Sequence, residues 1–88
     1  MYKIQYHKNA VKEIEKLKQI NLDKKAKALI DLLKENPFKN PPPYEKLKGY
    51  LNGLYSRRIN IQHRLVYNVD ENTKIIKILS LWSHYEGI

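Results

Sequence analysis

The chain predicts an α+β fold in which a small, mostly antiparallel sheet packs against an N-terminal helical hairpin. Three observations carry this reading. Apolar residues alternate in Tyr2-Lys3-Ile4-Gln5-Tyr6 and again at Leu65, Tyr67 and Val69, and a period of two marks a half-buried strand. Between them, two stretches space apolar residues three and four apart, as an amphipathic helix does. Finally, Lys74 to His84 is a nearly continuous run rich in Ile and Leu, the pattern of a central strand covered on both faces.

Taken in order, Tyr2, Ile4 and Tyr6 share one face of the first strand. Asn9 is the expected N-cap of a helix whose apolar stripe is Val11, Ile14 and Leu17. Asn21 and Asp23 punctuate its end and offer a cap to the next. Ala26, Leu29, Ile30 and Leu33 give the second stripe, and Pro37 stops it, because the residue before a proline is pushed out of the helical region. The short connection between the helices makes them a hairpin. The run Pro37 to Tyr44, with three consecutive prolines, is expected to be an extended, polyproline-like loop. Glu45-Lys46-Leu47-Lys48 then leads through Gly49 and Gly53 into two strands joined by a polar turn, within Tyr55 to Tyr67. Asp70-Glu71-Asn72-Thr73 is a second turn before the last strand.

With 88 residues and 42% apolar composition, the sequence reads as one globular domain spanning 1–88, with no internal repeat. Lys and Arg number 17 against 9 Asp and Glu, a formal charge of +8. That excess favours a nucleic acid, an acidic protein or an anionic surface as partner. There is no cysteine, which excludes a disulfide framework and thiol chemistry. No long apolar run marks a signal peptide or a membrane span, so a cytoplasmic location is expected. Glycine fingerprints for nucleotides are absent. Three histidines without metal-ligand spacing make a zinc site an unsuitable reading, and His7 is expected to be a solvated surface residue.

What remains suits phosphodiester cleavage in RNA. That reaction needs a base for the ribose 2′-hydroxyl, positive charge for the phosphorane-like transition state and an acid for the departing 5′ oxygen. Glu45 in a loop, Arg58 and Arg64 on the hairpin, Lys48 nearby and His84-Tyr85 at the end of the last strand supply these groups. Arg57 and His63 belong to the same basic ribbon, and Lys48, Arg57, Arg58 and His63 are the candidates for holding phosphates. An antiparallel sheet can bring Arg64 and His84 together. Each residue also has a plainer reading: Glu45 as a loop carboxylate, His84 as a frayed end, His63 as the holder of a turn, Trp82 and Tyr67 as core.

The blocks Glu45-Lys46-Leu47-Lys48, Tyr55-Ser56-Arg57-Arg58-Ile59, His63-Arg64-Leu65-Val66-Tyr67 and Trp82-Ser83-His84-Tyr85 resemble the YoeB (Txe/YoeB) toxins of bacterial toxin–antitoxin systems, within the RelE superfamily. The resemblance covers nearly the whole chain, and the two hairpin blocks are its specific part. It implies a RelE/YoeB-like, microbial ribonuclease-type fold and ribosome-dependent, metal-independent cleavage of mRNA in the decoding site, inhibiting translation, with no cofactor. It also implies roles: Glu45 as general base, Arg64 as transition-state stabiliser, His84 as general acid, Tyr85 as the residue orienting the RNA, and Lys48 and Arg58 as phosphate contacts. Implied partners are the ribosome and its rRNA, mRNA, a YefM-like antitoxin with an acidic, partly disordered segment, and a second copy in a homodimer. The chain departs from the family by continuing Glu86-Gly87-Ile88 beyond the His-Tyr pair. Two other readings stand beside this one: a non-catalytic, ParE-like toxin acting on gyrase by binding, and a basic binding module without chemistry. The first would lack the acid–base residues, and the second would tolerate Glu45→Ala and His84→Ala.

Overall fold

The helical stripes and the alternating strands meet around one sheet in the computed structural model, which describes residues 1–82. Strand β1 (Lys3–Tyr6) is followed by helices α1 (Lys8–Gln19) and α2 (Asp23–Glu35). Then come β2 (Glu45–Lys46), a single 3-10 turn over Gly49–Leu51, β3 (Tyr55–Arg58), β4 (Arg64–Asp70) and β5 (Ile75–Ser80). The strands form one five-stranded sheet in the order β1-β5-β4-β3-β2. Only the β1–β5 pair is parallel. The α+β reading and the mostly antiparallel sheet therefore hold, as does the interior place of the last strand, between β1 and β4.

Local chemistry explains the helix ends, with one correction. The N-cap of α1 is His7, not Asn9: the His7 Nδ1 accepts the Asn9 backbone N–H at 3.1 Å. Asn9 lies inside the helix, and His7, expected to be merely solvated, is what starts it. The stripe is also displaced. Val11 is 52% exposed, and Ala10, Ile14 and Leu17 face inward instead. At the far end Asn21 takes a left-handed φ of 60°, a conformation that asparagine tolerates. This lets the Leu22 N–H reach back to the Leu17 carbonyl at 2.9 Å, closing the helix in the manner of a Schellman motif. Leu22, without a side-chain cap, precedes α2, and Asp23 sits in its first turn, where a carboxylate favours the helix dipole. Asn36, before Pro37, is extended, as the ring requires.

Both helices lie on one face of the sheet. Ala10 and Leu17 of α1 and Ala26, Ile30 and Leu33 of α2 bury against Leu65, Tyr67, Ile76 and Ile78, with Ile59 and Leu81 completing the cluster. The other face carries a smaller cluster, Leu47, Leu51 and Val66, with Leu54 beside it. Strand β4 was expected to alternate, yet Leu65, Val66 and Tyr67 are all buried, because the segment after β2 folds over the second face. Two further expectations are corrected. Glu45 stands in a short edge strand rather than a loop, and the proline run is not one extended segment, since the chain turns at Pro37–Phe38 and bends at Pro41–Pro42.

Candidate active site

The site is assembled by register. Glu45 pairs with Ser56, Ser56 with Val66, and Arg58 lies directly opposite Arg64. Directly opposed residues, and residues two apart along one strand, project from the same side of a sheet. Glu45, Ser56, Arg58 and Arg64 therefore share the face away from the helices, where Val66 packs in the smaller cluster with Leu47 and Leu51. The four residues line a cleft of about 470 Å³ together with Leu29 of α2, Pro42, Pro43, Tyr44 and Arg57, so the cleft reaches round the sheet edge to the helix side.

The electrostatics of this face are unbalanced. Among the described residues, ion pairs join Lys18 to Glu15, Lys27 and Lys34 to Asp31, and Lys74 to Glu71, all away from the cleft. Arg58 and Arg64 belong to none of them. Two guanidinium groups on directly opposed residues repel each other, a contact that costs stability in a sheet. Glu45, on the neighbouring strand, is exposed, as are Arg58 and Lys48. The arrangement offers one carboxylate and two cations to whatever enters, which suits proton abstraction beside a phosphate.

Two of the basic candidates are used differently. Arg57 was expected among the phosphate ligands, but it is 1% exposed and on the opposite side of β3 from Arg58. Its guanidinium donates to the carbonyls of Pro42 at 2.6 Å, Lys39 at 2.8 Å and Pro37 at 3.1 Å, and lies over the Tyr44 ring. Although it touches the cleft wall, its two terminal nitrogens are turned to the loop and hold it in place, while its buried Nε has no partner among the described residues. Tyr67 reinforces the tie by donating its hydroxyl to the Pro37 carbonyl at 2.8 Å. Burial raises the Tyr67 pKa, against a smaller lowering by the Arg57 charge. Phe38, Tyr44, Tyr55 and Tyr67 pack edge to face or stacked in a continuous chain beneath the loop.

His63, also among the phosphate candidates, is 6% exposed. Its Nδ1 hydrogen-bonds the Trp82 carbonyl at 2.9 Å, and its ring lies 4.3 Å from the Trp82 ring, centroid to centroid. The alternative role, holder of the turn, matches this geometry. The turn itself is an Asx motif: Asn60 Oδ1 accepts the backbone N–H groups of Gln62 and His63. His84 and Tyr85 lie outside the described residues. The backbone N–H of Arg64 donates to the Trp82 carbonyl at 3.0 Å, so the last described residue meets the strand that carries Arg64.

Sequence reasoning missed five residues of the cleft, Ser56, Pro42, Pro43, Tyr44 and Leu29. Ser56 is buried and sits between Glu45 and Arg58 in the register, and only pairing reveals it. Pro42 and Pro43 form a wall that loop composition alone does not place. Leu29 was read as core, and its helical stripe gave no sign that it also reaches the cleft. Among the described residues no group of three His, Cys, Asp or Glu side chains is placed to hold a metal ion, and no helix is long and apolar enough to cross a membrane.

Comparison with known proteins points the same way. A family model described as the YoeB-like toxin of bacterial type II toxin–antitoxin systems matches residues 5–85. The toxin YoeB of Synechocystis sp. is 40% identical over 70 residues, spanning 80% of this chain and 72% of that protein. Among solved structures, the heterotetrameric YoeB–YefM toxin–antitoxin complex from Staphylococcus aureus contains a chain that is 38% identical. It superposes with a TM-score of 0.79 over 97% of this chain and 99% of its own. The archaeal RelE–RelB complex from Pyrococcus horikoshii gives 27% identity and a TM-score of 0.76, over 98% of each chain. With the match running from β1 through the hairpin, the chain belongs to the YoeB-like toxins of bacterial type II toxin–antitoxin systems, on a RelE-type fold.

Proposed function

We propose that this toxin is a ribosome-dependent endoribonuclease that cuts mRNA in the decoding site and so inhibits translation. The observation that carries the reading is the common face of Glu45, Arg58 and Arg64, a carboxylate beside two opposed cations that form no ion pair among the described residues. Glu45 takes the proton from the ribose 2′-hydroxyl, whose oxygen attacks the adjacent phosphorus. Arg64 and Arg58 stabilise the charge that builds on the phosphoryl oxygens, and Lys48 holds a flanking phosphate. His84 gives its proton to the departing 5′ oxygen, and Tyr85 orients the RNA. The bond to the 5′ oxygen breaks, leaving a 2′,3′-cyclic phosphate or its 3′-phosphate hydrolysis product and a 5′-hydroxyl end. No metal takes part in this scheme, and its site of action is the cytoplasm.

The same proposal includes a partner. YoeB of S. aureus is seen with YefM, and RelE of P. horikoshii with RelB. A +8 toxin suits a YefM-like antitoxin whose acidic, partly disordered segment folds onto it and covers the cleft, and a homodimer of the toxin belongs to the same expectation. The decisive experiment is cleavage of a defined mRNA in a purified translation system, mapped by primer extension, with and without ribosomes. Wild type should give ribosome-dependent cuts with 5′-hydroxyl ends. Glu45→Ala and His84→Ala should each reduce the rate by ~10²–10⁴-fold, and Arg64→Ala by a comparable factor, with folding intact. Cuts that persist in all three variants would assign the chemistry to other residues, and none from folded wild type would reject the nuclease reading in favour of inhibition by binding alone.

A further inference from the structure

Strand β5 ends at Ser80, yet the next two residues are held by hydrogen bonds to other elements. The Leu81 N–H donates to Glu13 Oε1 of α1 at 2.9 Å, a contact between residues 68 apart in sequence. The Trp82 carbonyl accepts both the Arg64 N–H, at 3.0 Å, and His63 Nδ1, at 2.9 Å. The Trp82 ring is contacted by the His63 ring, 4.3 Å away between centroids, and by the Lys16 ammonium, 5.4 Å from its centroid. Leu81 itself is buried in the main core. Four side-chain or backbone groups from α1, β4 and the β3–β4 turn thus converge on two residues beyond the end of a strand.

Such convergence has a consequence for chemistry. Two residues of chain span at most ~7 Å, so fixing the backbone at Trp82 restricts where a group two residues further on can go. That group is His84. Catalysis by a general acid depends steeply on its placement, and a misplacement of about 1 Å can cost ~10²-fold. A partly buried carboxylate–amide bond is also a specific device: one acceptor oxygen of Glu13, on the face of α1 beside Leu17, meets one N–H.

We propose that Glu13 and His63 are positioning residues for the cleavage reaction, clamping Leu81–Trp82 so that the general acid meets the scissile phosphate. This rests on the nuclease reading above. Neither residue touches RNA in this scheme; each acts through the backbone, Glu13 as an acceptor for Leu81 and His63 as a donor to Trp82. Lys16 contributes through the Trp82 ring and carries less of the effect.

The test combines kinetics with fluorescence, because Trp82 is the single tryptophan of the chain. Ribosome-dependent cleavage is measured for wild type, Glu13→Ala, Glu13→Gln, His63→Leu and His63→Asn. Acrylamide quenching of Trp82 is measured on the same samples. Glutamine keeps the acceptor oxygen, and asparagine can place an amide N–H where Nδ1 stands. Glu13→Ala and His63→Leu should lower kcat by ~10- to 100-fold with KM within about twofold, and should make Trp82 more accessible to acrylamide. Glu13→Gln and His63→Asn should restore most of kcat and the protected fluorescence. Unchanged kcat in Glu13→Ala, a change in KM alone, or a Glu13→Gln as impaired as Glu13→Ala would overturn the proposal. Should His63→Leu fail to fold, the Glu13 pair decides, since alanine is the best helix former on the flank of α1. An inactive wild type would instead remove the nuclease reading, an outcome distinct from active wild type with active Glu13→Ala.

Discussion

Arg57 and Arg58 are neighbours in sequence and have opposite uses. Strand alternation sends Arg57 beneath the proline loop, with Tyr55, Leu65 and Tyr67 around it, and sends Arg58 to the open face beside Ser56, Arg64 and Val66. On the first side every guanidinium hydrogen bond goes to a carbonyl of the chain. On the second, two opposed arginines form no ion pair among the described residues. One side of β3 and β4 is built for stability and the other tolerates repulsion in exchange for a site. Identical residue types one position apart thus do different work, and only the register assigns it.

The sharpest way to break this comparison is to truncate the two arginines separately. Arg57→Ala strands the Pro42 and Lys39 carbonyls, leaves the Pro37 carbonyl only the Tyr67 hydroxyl, and unties the loop. Hydrogen bonds to charged groups are worth ~1.5–3 kcal/mol each, so a loss of roughly 3–6 kcal/mol is expected, a large part of the stability of a domain this size. Lysine should not rescue it, because a point charge cannot reproduce a fork of donors. Arg58→Ala should leave stability within about 0.5 kcal/mol, with a slight gain from relieved repulsion, while cleavage falls. Urea unfolding and the translation assay measure the two effects. If Arg57→Ala melts with wild type, or Arg58→Ala unfolds the chain, the division between the faces is wrong.

The two apolar clusters offer a second, smaller contrast. Leu17→Ala in the helix-covered core should cost ~2–5 kcal/mol, since a large side chain leaves a cavity among close-packed neighbours. Val66→Ala on the cleft side removes less volume from a four-residue cluster and should cost about 1–2 kcal/mol. It should also disturb activity more than Leu17→Ala does at matched stability, because Val66 lies directly opposite Ser56 and two residues along β4 from Arg64. Equal ratios of activity to stability in the two variants would mean that the cleft does not rest on its own cluster.

Much of this architecture could be read from periodicity. The helical hairpin, the central hairpin and the covered last strand each announced themselves by their spacing. The failures have physical causes. Val11 fits the helical stripe as well as Ala10 does, and only the direction of packing decides between them. A histidine is an unusual N-cap, so Asn9 looked the better candidate, whereas the Nδ1 of His7 performs the same acceptor role. A two-residue strand such as Glu45–Lys46 has no periodicity to detect, and it exists because β3 offers it an edge. In the site, Glu45, Arg58 and Arg64 were visible as residue types, and their placement on one face follows from pairing. Arg57 and His63, expected to hold phosphates, are buried and bonded to backbone carbonyls, because burial, not composition, separates a structural cation from a binding one.

The smallest test concerns Tyr67, on the stability side of the comparison. Its hydroxyl donates to the Pro37 carbonyl, which Arg57 also reaches, so Tyr67→Phe leaves that oxygen one donor and should cost only about 1 kcal/mol at neutral pH. The pH dependence separates burial from a mere lost bond. Burial raises the folded-state pKa of Tyr67 above its ordinary value of 10.0, and the opposing pull of Arg57 is the lesser effect. A raised folded value means that its contribution is complete below the unfolded pKa and is lost as pH rises toward the folded one. Above about pH 10 the unfolded chain sheds the proton first, and wild type should lose stability faster than Tyr67→Phe by up to ~1.4 kcal/mol per pH unit. Urea unfolding of both proteins from about pH 8 to about pH 11 should show a constant gap that closes at the alkaline end. A gap that stays constant throughout would mean that the hydroxyl is hydrated in the folded chain, and that the loop is not sealed over β4 as its hydrogen bonds require.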